Sequence, residues 1–213
     1  MVHLGYDPGG NKNHGVACYH PVLGSCRYDT VDNAECAIKW FEDVCEKYGV
    51  VPTSLGIDTL TVLAMGRSAN RPADLILRSM YPVVVKSVCS PNSLYGSMGL
   101  NGVSVAIALL EKWPDLAITE THPKVLYHCL TKKLELHDWD NNAGIMKQRL
   151  QEWMGVGAFD MQDDNAWDAA ISAYAARQWS EGKWTRNLHN ENVRGMRIVH
   201  HIGCGQACFA WPE

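Results

Sequence analysis

Apolar and polar positions along the chain change period several times, and those changes mark out the elements. Residues 2–6, 15–20 and 25–31 read as three short strands, with Pro21 and Gly24 bending the chain between the second and third. In NAECAIKWFEDVCEKYG the apolar residues at 37, 38, 41, 44, 45 and 48 form a helical stripe, and Gly49 is placed to end it. SLGID reads as a fourth strand, and LAITETHP as a fifth that ends at Pro123. NGVSVAIALLEKW predicts a helix stopped before Pro114, PKVLYHCL a helix with proline in its first turn, and AGIMKQRLQEWMG another. DDNAWDAAISAYAARQWSEG predicts the clearest helix, with acids at its start and Arg177 near its end, the polarity the helix dipole favours. RIVHHIG predicts one more strand near the C-terminus. Residues 65–99 are instead rich in glycine, serine and proline and carry Arg67, Arg71, Arg78 and Lys86.

Three leading strands fit a meander, and the strand–helix–strand steps after it require parallel pairing through right-handed crossovers. The fold class is therefore α/β, a mixed sheet in which a three-strand meander is followed by parallel strands. With 213 residues, 46% of them hydrophobic, the chain has the length for one substantial core, and we expect a single domain with a locally basic segment from about residue 183. No run reaches the roughly 18 apolar residues of a membrane span, and no basic stretch followed by a long apolar one opens the sequence, so we expect a cytoplasmic protein. The eight cysteines are scattered, several in apolar stretches, and read as reduced, small, buried hydrophobes. A net charge of −4 argues against a large nonspecific nucleic-acid coat and leaves one local face open to such a partner.

The acids change the picture most. GYD at 5–7 and GID at 56–58 repeat one signature, in which Gly and Asp share a strand face and the Asp ends the strand. The glycines are expected to leave space for a close approach. Glu120 ends the fifth strand, and ligand sites in α/β sheets lie at the carboxyl ends of strands. Asp164 and Asp168 are four apart at a helix start and share a face, with Asp163 placed as the N-cap. Taken singly, each acid also has an ordinary use; Asp7 before Pro-Gly is a turn residue. Five converging carboxylates repel one another unless divalent cations neutralise them, and Mg²⁺ or Mn²⁺ suits carboxylate oxygens. Two such ions can clamp an in-line displacement at a phosphodiester. Asp7, Asp58, Glu120, Asp164 and Asp168 are thus the candidate metal ligands and catalytic acids. His122 is a candidate proton shuttle, and Arg67, Arg71 and Arg78 are candidate contacts to the phosphates of DNA or RNA.

This layout resembles the RNase H-like superfamily, which includes RNase H, integrases and Holliday-junction resolvases. It looks most like the predicted RNase H-like nuclease family catalogued as domain of unknown function 429. GYDPGG, GIDTLTVLAMGRS, ETHP and DNAWDA carry the resemblance, in that order, between residues 5 and 169. The resemblance implies an RNase H-like mixed sheet with helices on both faces. It also implies a metal-dependent nuclease with Asp7, Asp58, Glu120 and Asp164 or Asp168 as ligands.

Two other readings stand beside this one. The first is a non-catalytic binding module that keeps the fold, consistent with Asn165 in the helix motif. The second is an actin-like phosphate- or ATP-binding protein, which also begins on D-x-G and a hairpin but duplicates its domain. HHIGCGQAC lacks tight C-x₂-C spacing for zinc, and YGSMG has Tyr95 where a nucleophile elbow needs glycine.

Overall fold

The computed structural model of the chain describes residues 1–10, 12–64, 70–88, 96–191, 198–200 and 207–213. The elements run β1 Val2–Asp7, β2 His14–His20, β3 Ser25–Val31, α1 Ala34–Tyr48, β4 Pro52–Ile57, β5 Val62–Ala64, α2 Pro72–Met80 and α3 Gly96–Lys112. They continue with β6 Ala117–Glu120, α4 Pro123–Leu130, α5 Trp139–Met154, α6 Asp164–Ser180, β7 Arg186–Asn187, β8 Ile198–His200 and β9 Ala210–Trp211. The main sheet has five strands in the order β3-β2-β1-β4-β6. β1, β2 and β3 pair antiparallel as a meander, while β4 pairs parallel to β1 and β6 parallel to β4. This is the mixed sheet expected from the sequence, a three-strand meander followed by parallel strands.

The sheet separates two cores. One face carries Val2, Leu4, Tyr6, Leu55 and Ile57 against Phe41 and Cys45 of α1 and Val105 and Leu109 of α3. The other face packs on α6, with α4 and α5 outside it. Alternation along β1 and β4 decides which residue serves which face. Tyr6 and Ile57 belong to the α1/α3 side, so Gly5, Asp7, Gly56 and Asp58 belong to the α6 side.

The glycines of the repeated signature leave space for a close approach, as expected, and α6 is what approaches. A Cβ on Gly5 would fall far inside contact with the backbone oxygen of Ala169. The same holds for Gly15 against Asn165 and for Gly56 against Ser172. The close approach is therefore made by the backbone of α6, which seats in a groove of three bare strand positions. Its alanines, buried at 166, 169, 170, 173, 175 and 176, keep the helix thin enough to lie there. Asp163 caps it as expected, accepting from Ala166 N at 3.0 Å.

Two elements arise where the sequence shows no period. β5 pairs antiparallel with β8, and α2 begins after Arg71, whose backbone N–H is capped by Asp74 at 3.0 Å. Both hold polar groups buried between them, a pattern that hydrophobic periodicity does not register. Near the C-terminus, Cys208 donates to Ile118 O (3.0 Å) and accepts from Glu120 N (2.7 Å), so this segment covers the outer edge of β6. Trp184 is buried in the core. Among the described residues no helix is long and apolar enough to cross a membrane.

Candidate active site

Asp7 and Asp58 end neighbouring parallel strands. The register Gly5↔Gly56 and Tyr6↔Ile57 continues with Asp58 N donating to Tyr6 O at 3.1 Å, which sets the two carboxylates side by side on the α6 face. Asp168 projects from α6 onto the same place. Asp7 is 8% exposed and Asp168 is 6% exposed. Burial, followed by the charges of Asp168, Asp58 and Asp164, holds the Asp7 carboxyl well above the usual carboxylate range; Lys124 works against them. Burial also raises Asp58 well above that range, helped by Asp168 and Glu120 and opposed by Lys124 and Arg71. Asp164, one helical turn before Asp168, stands at the partly exposed entrance. The loop after β1 is fixed by Asn101 of α3, which donates to Gly9 O and Gly10 O at 3.1 Å each.

Glu120 lies close enough to Asp58 to help raise its pKa and lines the same cavity, but its own charge is neutralised by an ion pair. It is the β6 partner of Ile57, and paired residues share a face, so its side chain leaves the sheet on the side opposite Asp58. There it meets Arg71, with Oε1 at 2.6 Å from Nη2 and Oε2 at 2.8 Å from Nη1. Thr61 donates to Oε2 from both its N and its Oγ1, at 2.9 Å each. Burial opposes the charged form of Glu120, but Arg71 and His189 outweigh it and hold the carboxyl down at about 2. The residue that occupies the expected place beside Asp58 is Thr121, whose hydroxyl bonds Ser172 of α6 at 2.8 Å.

The cations are also redistributed. Arg71 is only 2% exposed and bridges Asp74 (2.7 Å) and Glu120, so its charge is taken up within the fold at the wall of the cavity beside Asp58. Arg78 is half-buried and donates to Val88 O at 2.6 Å. Arg67 lies outside the described residues. The lysines near the acids are Lys124, at the start of α4, and Lys86. Lys124 directly follows the ETHP motif, so its position was readable once that strand was placed.

Sequence reasoning missed His137. It lies between α4 and α5, and its Nε2 is 2.7 Å from Asp168 Oδ1. No period or motif in LELHDWDN marks it, because the contact spans 31 residues and depends on how α5 folds back. His122 donates from Nε2 to Ser87 O at 2.8 Å, since a carbonyl only accepts. Burial lowers its pKa and keeps the ring neutral.

No protein-family model matches the chain, and no curated protein matches it. Among solved structures, one titled Thermus thermophilus RuvC structure aligns with 85% of this chain and 97% of its own, at 11% identity and a TM-score of 0.48.

Beside Asp58 opens a cavity of about 400 Å³ lined by the Arg71, Asp74 and Glu120 cluster, by Lys86, His122 and Lys124, and by the apolar Leu60 and Met98. A second hollow, of about 470 Å³, runs along β3 beside Val156–Phe159 and is lined by none of the acids. Among the described residues, no group of three His, Cys, Asp or Glu side chains is arranged to hold a metal ion. Asp168 stands near enough to Asp7 and Asp58 for its charge to raise the pKa of both. The donor set of the three is oxygen only, with no thiolate and with imidazole only behind it, and such a set fits Mg²⁺ or Mn²⁺.

Proposed function

We propose that the protein is a divalent-metal-dependent nuclease that hydrolyses phosphodiester bonds of DNA or RNA. The observation that carries this reading is the meeting of Asp7, Asp58 and Asp168. Three carboxylates from three separate elements meet at one place, where the charge of Asp168 adds to burial in raising the pKa of Asp7 and of Asp58. Such an arrangement costs stability when left alone, and cations at the site offset that cost. The order of motifs that resembles the family catalogued as domain of unknown function 429 supports the same reading.

Asp7, Asp58 and Asp168 would hold Mg²⁺ or Mn²⁺, with Asp164 reaching in from the entrance. Bound ions of this kind supply Lewis acidity toward a phosphate and lower the pKa of water. The chain's own groups do the rest. His137 holds the Asp168 carboxylate in one orientation through its 2.7 Å contact. The bed of glycines under α6 fixes the distance from helix to strand ends. Lys124 provides positive charge at the rim for an anionic substrate. Arg71 and Glu120 brace the β4 and β6 ends from the far side of the sheet.

The test is metal titration followed by cleavage. Wild type is expected to bind Mn²⁺ and to cut labelled DNA or RNA substrates only with metal present. Asp58→Asn is expected to lose both. Metal binding without cleavage across single- and double-stranded panels of both nucleic acids would overturn the nuclease reading in favour of a binding module.

A further inference from the structure

The cavity beside Asp58 has features that a metal site does not need. The Nε2 of His122 donates to Ser87 O, so in the neutral ring Nδ1 carries a lone pair and accepts. That nitrogen is buried and has no hydrogen-bond partner. A buried acceptor without a partner is costly. What satisfies it is a ligand with an O–H or N–H. The cavity is lined by Asp58, Asp74 and Glu120 as well as by cations; Arg71 neutralises Asp74 and Glu120, whereas Lys86 and Lys124 form no ion pair among the described residues and are left to meet an anion. α4 starts here at Pro123 with no side chain capping it, so its first N–H groups add to the attraction for an anion. Leu60 and Met98 supply apolar wall. At about 400 Å³ the space lies within the range of roughly 300–1,000 Å³ that encloses a small organic ligand, and it is too small for a base pair.

An anion, a hydrogen-bond donor and an apolar face, on a ligand of this size, together describe one nucleotide. We propose that this cavity is a slot for a single unpaired nucleotide of the substrate strand. Its phosphate lies against Lys86 and Lys124, its sugar hydroxyl or base amino group donates to Nδ1 of His122, and its apolar face rests on Leu60 and Met98. The slot makes the substrate a single strand or a frayed end, because a paired nucleotide cannot enter. The inference rests on the nuclease reading for the identity of the strand, and its test does not use metal or cleavage.

The test uses the full chain in EDTA with AMP, dAMP, inorganic phosphate and adenosine, read by calorimetry and by the methyl resonance of Met98 in ¹³C-methionine-labelled protein. AMP or dAMP is expected to bind at least tenfold more tightly than either phosphate or adenosine, and to shift Met98 while distant methionines stay still. A preference for AMP over dAMP assigns the donor to the 2′-hydroxyl, and equal binding assigns it to the 3′-hydroxyl or the base; either outcome supports the slot. His122→Phe is expected to weaken nucleotide binding about tenfold and leave phosphate binding unchanged. Phosphate binding as tight as AMP would reduce the cavity to an anion site and overturn the proposal. So would a Met98 methyl that no nucleotide moves in wild type, a readout that does not depend on any variant folding. A protein that cuts with metal but binds no nucleotide loses only the slot. One that binds nucleotide but never cuts loses only the nuclease reading.

Discussion

Asp7 and Asp58 carry carboxyls whose pKa in the folded chain lies well above the ordinary value of 3.8. Below that pH both the folded and unfolded forms hold the proton, and these groups favour neither. As pH rises past 3.8 the unfolded chain releases its protons first, so the contribution of these groups to stability is lost progressively as pH climbs through their folded pKa. Metal-free Asp7→Asn is therefore expected to melt higher than wild type at pH 8 and at the same temperature near pH 4. At roughly 2–4 °C per kcal/mol for a chain of this size, a difference of several degrees should be visible by calorimetry in EDTA. A variant that melts lower at pH 8 would show that the acids do not strain the fold. Glu120 makes the opposite case. Its carboxylate is satisfied by Arg71 and Thr61 on the far face. Glu120→Gln should reduce stability and leave the Mn²⁺ dissociation constant near that of wild type, whereas Asp58→Asn should raise that constant at least about tenfold. Equal losses from both variants would return Glu120 to the metal site. Removing the guanidinium leaves Asp74 and Glu120 buried and unpaired. Arg71→Met is thus expected to cost about 3–5 kcal/mol in urea unfolding, part of it recovered by adding Glu120→Gln.

Elements fix the spacing that these residues exploit. Gly56 has no Cβ because the α6 backbone at Ser172 lies where a Cβ would be, and Gly5 is bare for the same reason at Ala169. Gly56→Ala must push α6 from the sheet, and it is expected to cost about 1–3 kcal/mol or more and to weaken metal binding by moving Asp168. Gly49→Ala is the control. Gly49 ends α1 with φ +60 and nothing within 4 Å, so it should cost only about 1 kcal/mol, with metal affinity unchanged. If both variants bind metal equally well, helix seating does not set the site. The Gly-x-Asp repeat was legible because period-2 alternation and a shared strand end are local properties. So was the α6 face, through its four-residue spacing of acids. The face of Glu120 was not, because it depends on a one-residue register between β4 and β6 that no local pattern encodes. β5 and α2 escaped for a related reason. Their stability comes from the buried Arg71–Asp74–Glu120 triad, and a charged cluster reads in sequence as exposed surface.

Across the whole molecule the sheet divides its work by face. The side of α1 and α3 is an apolar core closed at its rim by the Arg71 triad, and the side of α6 is a small-residue interface with acids at one end. The same strand ends therefore carry a neutralised charge group on one face and an unneutralised one on the other. Folding must bring the second group together without help, so a cation that binds it contributes to global stability by mass action. Adding Mg²⁺ or Mn²⁺ at pH 8 should raise the melting temperature, with a gain near 2.7 kcal/mol at about one hundred times the dissociation constant. The gain should shrink as pH falls, because protons then compete for carboxylates whose pKa is already raised. It should vanish in a chain carrying Asp7→Asn with Asp58→Asn, which is itself expected to outlast metal-free wild type at pH 8. A melting temperature indifferent to either ion at every pH would mean that the meeting of acids at the end of this sheet holds no metal, and the nuclease reading would fall with it.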